Sequence, residues 1–363
     1  MKRIGIVTFH CSYNFGSALQ TYALKKVLDN FNNRVNIIHY INNKNFEQYK
    51  LFRTWLYPIN PKSLIADIFF FFHNYKRKTA FENFWKKYFN LTKEYHDCDS
   101  MRELNKDFDC FICGSDQIWN LDCTEGVIPA YFLGFASDDK LKIACAPGIS
   151  HTKFKKNYDD ELKKYLPRFD AVSIREKSTV NMYQPFVDRK IVVTVDPTLL
   201  LTSDDYVDIY NEGNVAVSNG YIFLYILEKN NNIISYAEEL ARKENKSIVF
   251  VSQKPYFLKA KSRNVYGCGP SDFLAYIKNA DYIVTNSFHA TVFSVLFHKQ
   301  FCTFATINSG SRMVDLLGEL GLSKCLYHDD IDINQTIDYP MVELKLEQMR
   351  ASSINFLRST LGE

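Results

Sequence analysis

Apolar and polar positions in the first half of the chain alternate between two periodicities. Short runs rich in β-branched residues predict strands, and stretches with apolar residues at helical spacing separate them. The predicted strands are Ile4–Phe9, Val35–Ile38, Cys110–Cys113, Ile143–Ala146, Ala171–Ile174 and Ile191–Val195. The predicted helices are Ala18–Phe31, Phe81–Phe89, Asp159–Leu166 and Ser178–Tyr183. This alternation favours a parallel sheet covered by helices.

A second alternation follows a polar, glycine-containing linker that begins near Thr202. Its predicted strands are Tyr221–Leu227, Ser247–Ser252, Tyr282–Thr285 and Phe301–Phe304. Its predicted helices are Ile233–Glu244, Ser271–Asn279, Ala290–Phe297 and Ser311–Leu320. We therefore expect an α/β protein with two doubly wound, Rossmann-like domains, residues 1–203 and 204–340, that face each other across a cleft. A C-terminal helix within residues 341–363 is expected to pack back onto the first domain.

Composition and charge narrow the class of protein. The 363 residues suffice for two hydrophobic cores, because single domains seldom grow beyond about 250–300 residues. Apolar residues make up 46% of the chain and charged residues 23%, which are ordinary proportions for a soluble globular protein. A formal net charge of +3 is too small to indicate nucleic-acid binding.

Nine cysteines are scattered along the chain without the close spacing of a disulfide framework. Several lie in apolar runs, so we expect reduced, buried thiols in a cytoplasmic protein. Cys110 and Cys113 have the spacing of a metal or redox pair, but they also fit a buried strand. The first residues enter a strand directly and lack a signal-peptide layout, and the apolar run Leu64–Phe72 falls short of the ~18 residues of a membrane span.

Residues 44–93 differ from the rest, with ten basic and three acidic residues interleaved with aromatic ones. Phe69–Phe72 is a run of four phenylalanines. One interpretation is a surface that contacts anionic lipids at the inner face of the membrane, or a lipid-linked substrate. The other is an insertion in the first domain, whose aromatic side chains pack on the sheet while its lysines are solvated.

His289 is the most informative single residue. An apolar, β-branched run stops at Asn286 and Ser287, and a helix-compatible pattern starts immediately afterwards. The imidazole is therefore predicted at a turn between a strand and a helix N-terminus, the edge where open α/β sheets bind ligands. Unpaired N–H groups and the helix dipole favour an anion there and a neutral imidazole that can act as a base.

Polar residues also follow two predicted strands of the first half. Asp116 could orient a sugar hydroxyl or act as a base, and Trp119 could stack on a sugar ring. Alternatively, Ser115 or Asp116 caps a helix and Trp119 belongs to the core. The candidate acceptor or cleft residues in these segments are Asn14, Gly16, Ser17, Gln117, Trp119 and Asn120.

Two arginines stand at positions suited to an anion. Arg175 follows the strand Ala171–Ile174, where it could grip a carboxylate or phosphate, or form a salt bridge with Glu176 or another neighbouring carboxylate. Arg312 lies in the first turn of a predicted helix, where it opposes the dipole unless an anion is near. A small polyanion bound in the cleft would satisfy both.

Five motifs in their order along the chain resemble the polysaccharide pyruvyl transferase family. They are Asn14–Gly16, Gly114–Asn120, Ser173–Ser178, Asp196–Thr198 and Ser287–Ala290. The resemblance covers nearly all of residues 4–322. It implies a fold similar to that of GT-B glycosyltransferases. It also implies transfer of the pyruvyl group of phosphoenolpyruvate to hydroxyls of a sugar or cell-surface glycan.

The resemblance assigns roles to individual positions. It makes Arg175 a phosphoenolpyruvate ligand and His289 a catalytic or donor-contacting group, with Asn286 and Ser287 beside the donor. Characterised members tend to have an arginine two positions before this histidine, where this chain has Ser287, so Arg312 or Lys177 would supply the missing charge.

The implied chemistry needs an acid and a base. Protonation of the methylene carbon of phosphoenolpyruvate creates an oxocarbenium-like centre that a sugar hydroxyl attacks. We expect His289 to act as an acid or base and Asp116 to act on the acceptor hydroxyl. Arg175 and Arg312 are expected to bind the anionic donor. Phosphoenolpyruvate enters as a co-substrate, and neither a metal nor a cofactor is expected.

Two other functions remain open from the sequence. One is a nucleotide-sugar glycosyltransferase of GT-B type, for which Glu319 is the only candidate acidic residue near the second domain's donor pocket. The other is a non-catalytic relative that binds glycans or membranes, favoured if Ser287 removes affinity for the donor.

Overall fold

The computed structural model describes residues 1–42, 50–52, 54, 58, 60, 62–150, 153–215, 220–228, 230–252, 258–306, 310–329, 331 and 335–363. The chain divides into two compact units. The first unit comprises Met1–Glu47, Trp85–Leu201 and Leu344–Glu363, and the second comprises Gln48–Phe84 and Thr202–Glu343. The division differs from the predicted one mainly at residues 48–84, which join the second unit. Of the predicted insertion, residues 44–49, 53, 55–57, 59 and 61 lie outside the described residues.

The first unit contains a parallel sheet in the order β3-β2-β1-β4-β5-β6-β7. Its strands are β1 Arg3–Val7, β2 Arg34–Tyr40, β3 Leu91–Tyr95, β4 Cys110–Cys113, β5 Leu141–Ala144, β6 Ala171–Ile174 and β7 Val192–Val193. The central strands β1 and β4 are almost entirely buried, which explains why their sequences are continuous apolar runs rather than alternating ones.

Helices cover this sheet. Those of the first unit are α1 Phe15–Asn30, α4 Asp159–Tyr165 and α5 Val180–Tyr183, together with several short 3₁₀ turns. The C-terminal helix α11, Tyr339–Leu361, contributes its part from Leu344 onward. There the Val195 N–H donates to Ser353 Oγ over 3.1 Å, and Arg350 Nε donates to the Leu199 carbonyl over 2.9 Å. These bonds attach the helix to the segment that ends the first unit's sheet.

The second unit has a five-stranded parallel sheet in the order β10-β9-β8-β11-β12. Its strands are β8 Tyr221–Tyr225, β9 Ser247–Val251, β10 Ser262–Val265, β11 Tyr282–Thr285 and β12 Gln300–Thr303. Its helices are α2 Lys62–Phe69, the part of α3 (Phe71–Tyr88) up to Phe84, α6 Val207–Asn211, α7 Asn231–Lys243, α8 Pro270–Asn279, α9 Phe288–Leu296, α10 Ser311–Leu320 and the first turn of α11.

Both units are therefore doubly wound, and the predicted α/β class is confirmed. In each sheet the strand order reverses at one point, between β1 and β4 in the first unit and between β8 and β11 in the second. Ligands of open α/β sheets bind at the carboxyl ends of the strands that flank such a reversal. The loops that follow β1, β4, β8 and β11 are therefore where a functional site is expected.

The differences from the predicted elements lie at the sheet edges and in the aromatic segment. The sequence did not predict β3 or β10, because edge strands are half exposed and their sequences, LTKEY and SRNV, lack an apolar run. Helix α3 begins at Phe71 rather than at Phe81, since its first ten residues show no inward apolar stripe. Within the described residues, no helix is both long and apolar enough to cross a bilayer.

Candidate functional site

Polar side chains bridge the loops at the reversal point of the first sheet. Ser17, in the first turn of α1, donates a hydrogen bond from its hydroxyl to the Asp116 carboxylate. The Ser115 N–H donates to Gln20 Oε1 over 3.1 Å, and Thr8 Oγ1 donates to the Ser115 carbonyl over 3.2 Å. The chain after β1 and the chain after β4 are thus held together by side chains.

Asp116 is fixed within this network. It has a positive φ of 61°, and its Oδ1 accepts the Gln117 N–H at 2.8 Å. The preceding Gly114 has φ of +122°, and a Cβ there would lie 2.0 Å from the Cys145 carbonyl oxygen, so only glycine fits. Asp116 is 9% exposed, which leaves its carboxylate a narrow access to solvent.

The buried side chain of Arg175 is held by two carboxylates other than Asp116. Its guanidinium pairs with Asp196 through Nη1 and with Glu176 Oε1 through Nε at 3.3 Å, and its side chain is only 3% exposed. Burial alone would lower the pKa of Arg175, but Glu176, Asp196 and Asp116 outweigh it and raise the pKa above its ordinary value. This geometry favours the salt bridge over the anion-binding alternative that the sequence left open.

The small residues after β5 make room for this arginine. A Cβ at Gly148 would lie 2.1 Å from Arg175 Nη2 and 3.1 Å from the Asp116 carbonyl oxygen. The Gly148 N–H donates to that same carbonyl over 2.6 Å. The space beside Gly148 is therefore filled by the protein's own arginine.

Among the described residues, three carboxylates, Asp116, Glu176 and Asp196, act on the single guanidinium of Arg175. Asp196 Oδ1 is further occupied by the Thr198 N–H at 3.0 Å, and Glu176 Oε2 accepts the Ile149 N–H at 3.0 Å. The cluster carries excess negative charge, which disfavours a doubly charged anion and suits a neutral hydroxyl group.

The other acceptor candidates of the first unit have structural partners. Asn14 caps α1, since its side chain accepts the N–H groups of Gly16 and Ser17. Gln117 donates to Ser150 Oγ over 2.9 Å and accepts from Asn120 Nδ2 at 3.1 Å. Gln117 is half-buried, whereas Asn120 is buried. Lys177 is exposed at the start of a 3₁₀ turn after β6.

The prediction that Trp119 stacks on a sugar was wrong. Its side chain is fully buried, between the ring of Phe132 at 5.1 Å and that of Tyr183 at 5.4 Å, both nearly parallel to it. Its indole N–H donates to the Tyr131 carbonyl over 3.1 Å. Trp119 belongs to the core because the chain turns inward immediately after the polar residues 115–117.

At the reversal point of the second sheet, Asn286 performs the bridging role. Its Oδ1 accepts the Leu227 N–H at 2.8 Å, and its Nδ2 donates to the Glu228 carbonyl over 2.7 Å. Ser287 is the N-cap of α9 and accepts the Ala290 N–H at 3.3 Å. Both predicted donor-binding residues are thus occupied in holding the turn that starts α9.

His289 lies in the first turn of α9, as predicted, and is 7% exposed. Its ring contacts the edge of Phe288 at 5.2 Å between ring centroids. The Arg312 guanidinium, in the first turn of α10, lies 4.9 Å above the same Phe288 ring. Phe288 therefore contacts two predicted site residues, although its own position in the sequence did not mark it as a site residue.

The electrostatics of this second edge differ from those of the first. Neither α9 nor α10 has an acidic residue in its first turn. Two helix N-termini with an arginine between their first turns form an environment that favours an anion.

A pair of histidines in the first unit was missed. His10 Nε2 lies 2.8 Å from His39 Nδ1, and His39 Nε2 lies 3.5 Å from a Glu94 carboxylate oxygen that belongs to β3. Burial and the neighbouring His39 lower the pKa of His10 to about 3, and burial also lowers the pKa of His39. The pair forms where β1 and β2 run side by side, which the 29-residue separation along the sequence conceals.

Cys110 and Cys113 lie in β4, which confirms the strand interpretation of that segment. Positions i and i+3 of a strand point to opposite faces of the sheet, so the two thiols cannot act as a pair. Burial raises the pKa of Cys110 to about 12 and raises that of Cys113 as well.

The sequence profile of the family described as polysaccharide pyruvyl transferase matches residues 14–308. The chain therefore belongs to the polysaccharide pyruvyl transferase family. The match spans every motif from Asn14 to His289, and Arg312 lies just beyond it. No curated protein matches the chain.

Solved structures share the fold at low sequence identity. The UDP-GlcNAc 2-epimerase of Neisseria meningitidis bound to UDP-GlcNAc has a TM-score of 0.54 and 11% identity, covering 99% of each chain. S. aureus MnaA bound to UDP has a TM-score of 0.53 and 11% identity, covering 100% of this chain and 97% of its own. An α-glucosyltransferase bound to UDP has a TM-score of 0.51 and 10% identity, covering 99% of this chain and 96% of its own. The chain thus has the GT-B-like fold of these enzymes.

Replacing Trp119 tests its placement in the core. We expect Trp119→Ala to lower the free energy of unfolding by about 3–5 kcal/mol, because a fully buried, stacked indole leaves a cavity. Trp119→Phe, which keeps an aromatic ring in the stack, should cost clearly less. Denaturant unfolding measures both. An alanine variant as stable as the wild type would contradict the core placement.

The His10–His39 pair predicts a pH dependence of stability. The unfolded chain binds a proton at His10 near pH 6.5, whereas the folded chain does so only near pH 3, so stability is complete above pH 6.5 and falls as the pH drops below it. Between pH 7.5 and pH 5, the wild type should lose on the order of 2 kcal/mol more than His10→Asn does.

The matched control for this measurement is His96→Asn. The His96 side chain is 50% exposed and pairs with the same Glu94, so its replacement should leave the pH dependence unchanged. Equal slopes of unfolding free energy against pH for the wild type and His10→Asn would show that His10 is not held neutral.

Proposed function

We propose that this protein transfers the pyruvyl group of phosphoenolpyruvate to hydroxyl groups of a sugar or glycan. The proposal is supported most directly by the arrangement at the edge of the second unit. There His289 and Arg312, in the first turns of α9 and α10, both contact the ring of Phe288. Membership of the polysaccharide pyruvyl transferase family supports the same reaction.

The donor is assigned to the second unit. Phosphoenolpyruvate carries a phosphate and a carboxylate, and each needs cations or helix N–H groups. Ser287 occupies the position of the arginine seen in characterised members, and its side chain caps α9. Arg312, whose guanidinium lies over Phe288, is the cation that takes over this role in the proposal.

His289 is assigned to proton transfer. It lies in the first turn of α9, at the carboxyl edge of the sheet where the donor is assigned. In the proposed reaction it delivers a proton to the methylene carbon of the donor. A sugar hydroxyl then attacks the adjacent carbon and gives up its proton to Asp116. The bond between that carbon and the phosphate oxygen breaks, phosphate leaves, and a second hydroxyl of the sugar adds to the same carbon, returning a proton to the imidazole as the ketal closes.

Asp116 is assigned to the acceptor hydroxyl. Its carboxylate has limited solvent access and two internal donors, Ser17 and the Gln117 N–H, which fix its direction. In this scheme Arg175 orients the Asp116 loop through Gly148 instead of contacting the donor.

The test is turnover with phosphoenolpyruvate and a panel of sugars and glycans, lipid-linked ones included. We expect release of phosphate together with a product whose mass increases by one pyruvyl group. His289→Gln and Asp116→Asn should each lower kcat by about 10²–10⁴-fold, the usual contribution of a positioned acid or base, with the fold retained.

Asp122→Asn is the matched control, because Asp122 is a carboxylate of the same unit that pairs with the exposed Lys155. Its turnover should equal that of the wild type. Thermal stabilisation by sugar nucleotides but not by phosphoenolpyruvate would replace the proposal with a nucleotide-sugar transferase. Stabilisation by glycans alone would indicate a non-catalytic binding protein.

A further inference from the structure

Exposed apolar side chains are concentrated on one segment of the second unit. Among the large apolar residues of the described chain that are strongly exposed, seven of twelve lie between positions 52 and 75. Four of them, Ile65, Ile68, Phe69 and Phe72, are 70%, 60%, 75% and 80% exposed. Ile65, Ile68 and Phe69 have the i, i+3 and i+4 spacing of one face of α2, and Phe72 follows in the first turn of α3. We call these four residues the outer stripe.

Helix α2 has the reverse of the usual orientation. Its buried residues are Ser63 and Asp67, which are polar, while its apolar residues point to solvent. Ser63 is 8% exposed and Asp67 only 1%, and the Ser63 hydroxyl donates to the Asn60 carbonyl over 2.5 Å. A helix with a buried polar face and an exposed apolar face is suited to contact an apolar phase.

The segment that carries the outer stripe is packed against the second unit. Helix α3 packs closely on residues 266–269 of the same unit, where a Cβ at Gly269 would lie 2.7 Å from Ala80 Cβ and one at Gly267 would lie 3.0 Å from the His73 carbonyl oxygen. Phe70 faces Tyr266 with ring centroids 6.3 Å apart. The inward aromatic side chains thus anchor the segment and leave the outer stripe uncovered.

The charges of the same segment favour an anionic partner. Within residues 60–84 the basic residues are Lys62, Lys76, Arg77 and Lys78. Of the two acidic residues in that range, Asp67 is buried and Glu82 pairs with Lys78 at 3.8 Å. A second copy docked on the same face would bring like charges together, whereas an anionic lipid surface complements them.

We propose that the outer stripe inserts into the interfacial region of an anionic membrane, with the flanking basic residues on the lipid headgroups. The stripe would hold the protein at the surface without crossing it. This inference does not depend on the reaction proposed above, and it concerns a surface of α2 and α3 that the reaction does not use.

Co-sedimentation of the full chain with vesicles tests the proposal. We expect binding to vesicles of phosphatidylcholine with one-third phosphatidylglycerol, and weaker binding to pure phosphatidylcholine or at high salt. The triple variant Ile65→Ser, Phe69→Ser, Phe72→Ser should bind about 10-fold more weakly or worse, because the removed side chains are the ones that enter the bilayer. These positions are exposed, so circular dichroism and the melting temperature should stay unchanged.

The matched control is Met341→Ser with Leu344→Ser. These residues on α11 are 50% and 55% exposed, so the change removes exposed apolar side chains elsewhere on the chain. The control should bind anionic vesicles as the wild type does. Lys62→Gln with Lys76→Gln should weaken binding to anionic vesicles and reduce its dependence on salt.

Three results would overturn the proposal. The first is a wild type that does not sediment with anionic vesicles. The second is equal binding by the wild type and the triple variant. The third is a wild type that is dimeric by light scattering and indifferent to vesicles, with a monomeric triple variant, which would make the stripe a contact between copies of this chain.

Discussion

One buried guanidinium, held by carboxylates, organises the functional edge of the first unit. Arg175 pairs with Asp196 and Glu176, and these three residues follow β6 and β7. The same guanidinium lies against Gly148, whose N–H binds the carbonyl of Asp116. The loops after β4, β5, β6 and β7 are thus tied to a single cation. Breaking one partner of such a buried pair would leave an uncompensated charge, which is strongly unfavourable.

The pairing of Arg175 determines how charge is distributed over the candidate edges of the two units. Since the Arg175 guanidinium is paired with Asp196 and Glu176, the first unit retains excess negative charge beside Asp116. The second unit instead offers the N-termini of α9 and α10 with Arg312 over Phe288. A doubly anionic donor is therefore better served by the second unit, and a neutral hydroxyl by the first. Ser287, which caps α9, is compatible with this division because the cation comes from α10.

The sequence predicted the parallel sheets and most helices because buried strands and amphipathic helices leave strong periodic signals. It also placed His289, Arg175 and Asp116 at strand ends correctly.

The sequence could not predict which partner Arg175 takes, since a salt bridge and an anion contact require the same residue at the same position. Trp119 was misassigned because an aromatic residue after a strand fits a binding face and a core equally well. The His10–His39 pair and the Phe288 contact depend on elements that are distant along the chain. The orientation of α2 was hidden because an apolar stripe predicts which face is apolar, but not that it points outward.

In the proposed scheme the second unit binds the anionic donor through Arg312. Calorimetric titration of phosphoenolpyruvate into the full chain, without acceptor, measures this interaction. We expect Arg312→Gln to weaken binding about 10–100-fold, the loss of a charge-assisted hydrogen bond, and Lys177→Gln on the first unit to leave the affinity unchanged. Unaltered affinity in Arg312→Gln together with lost binding in Lys177→Gln would contradict it.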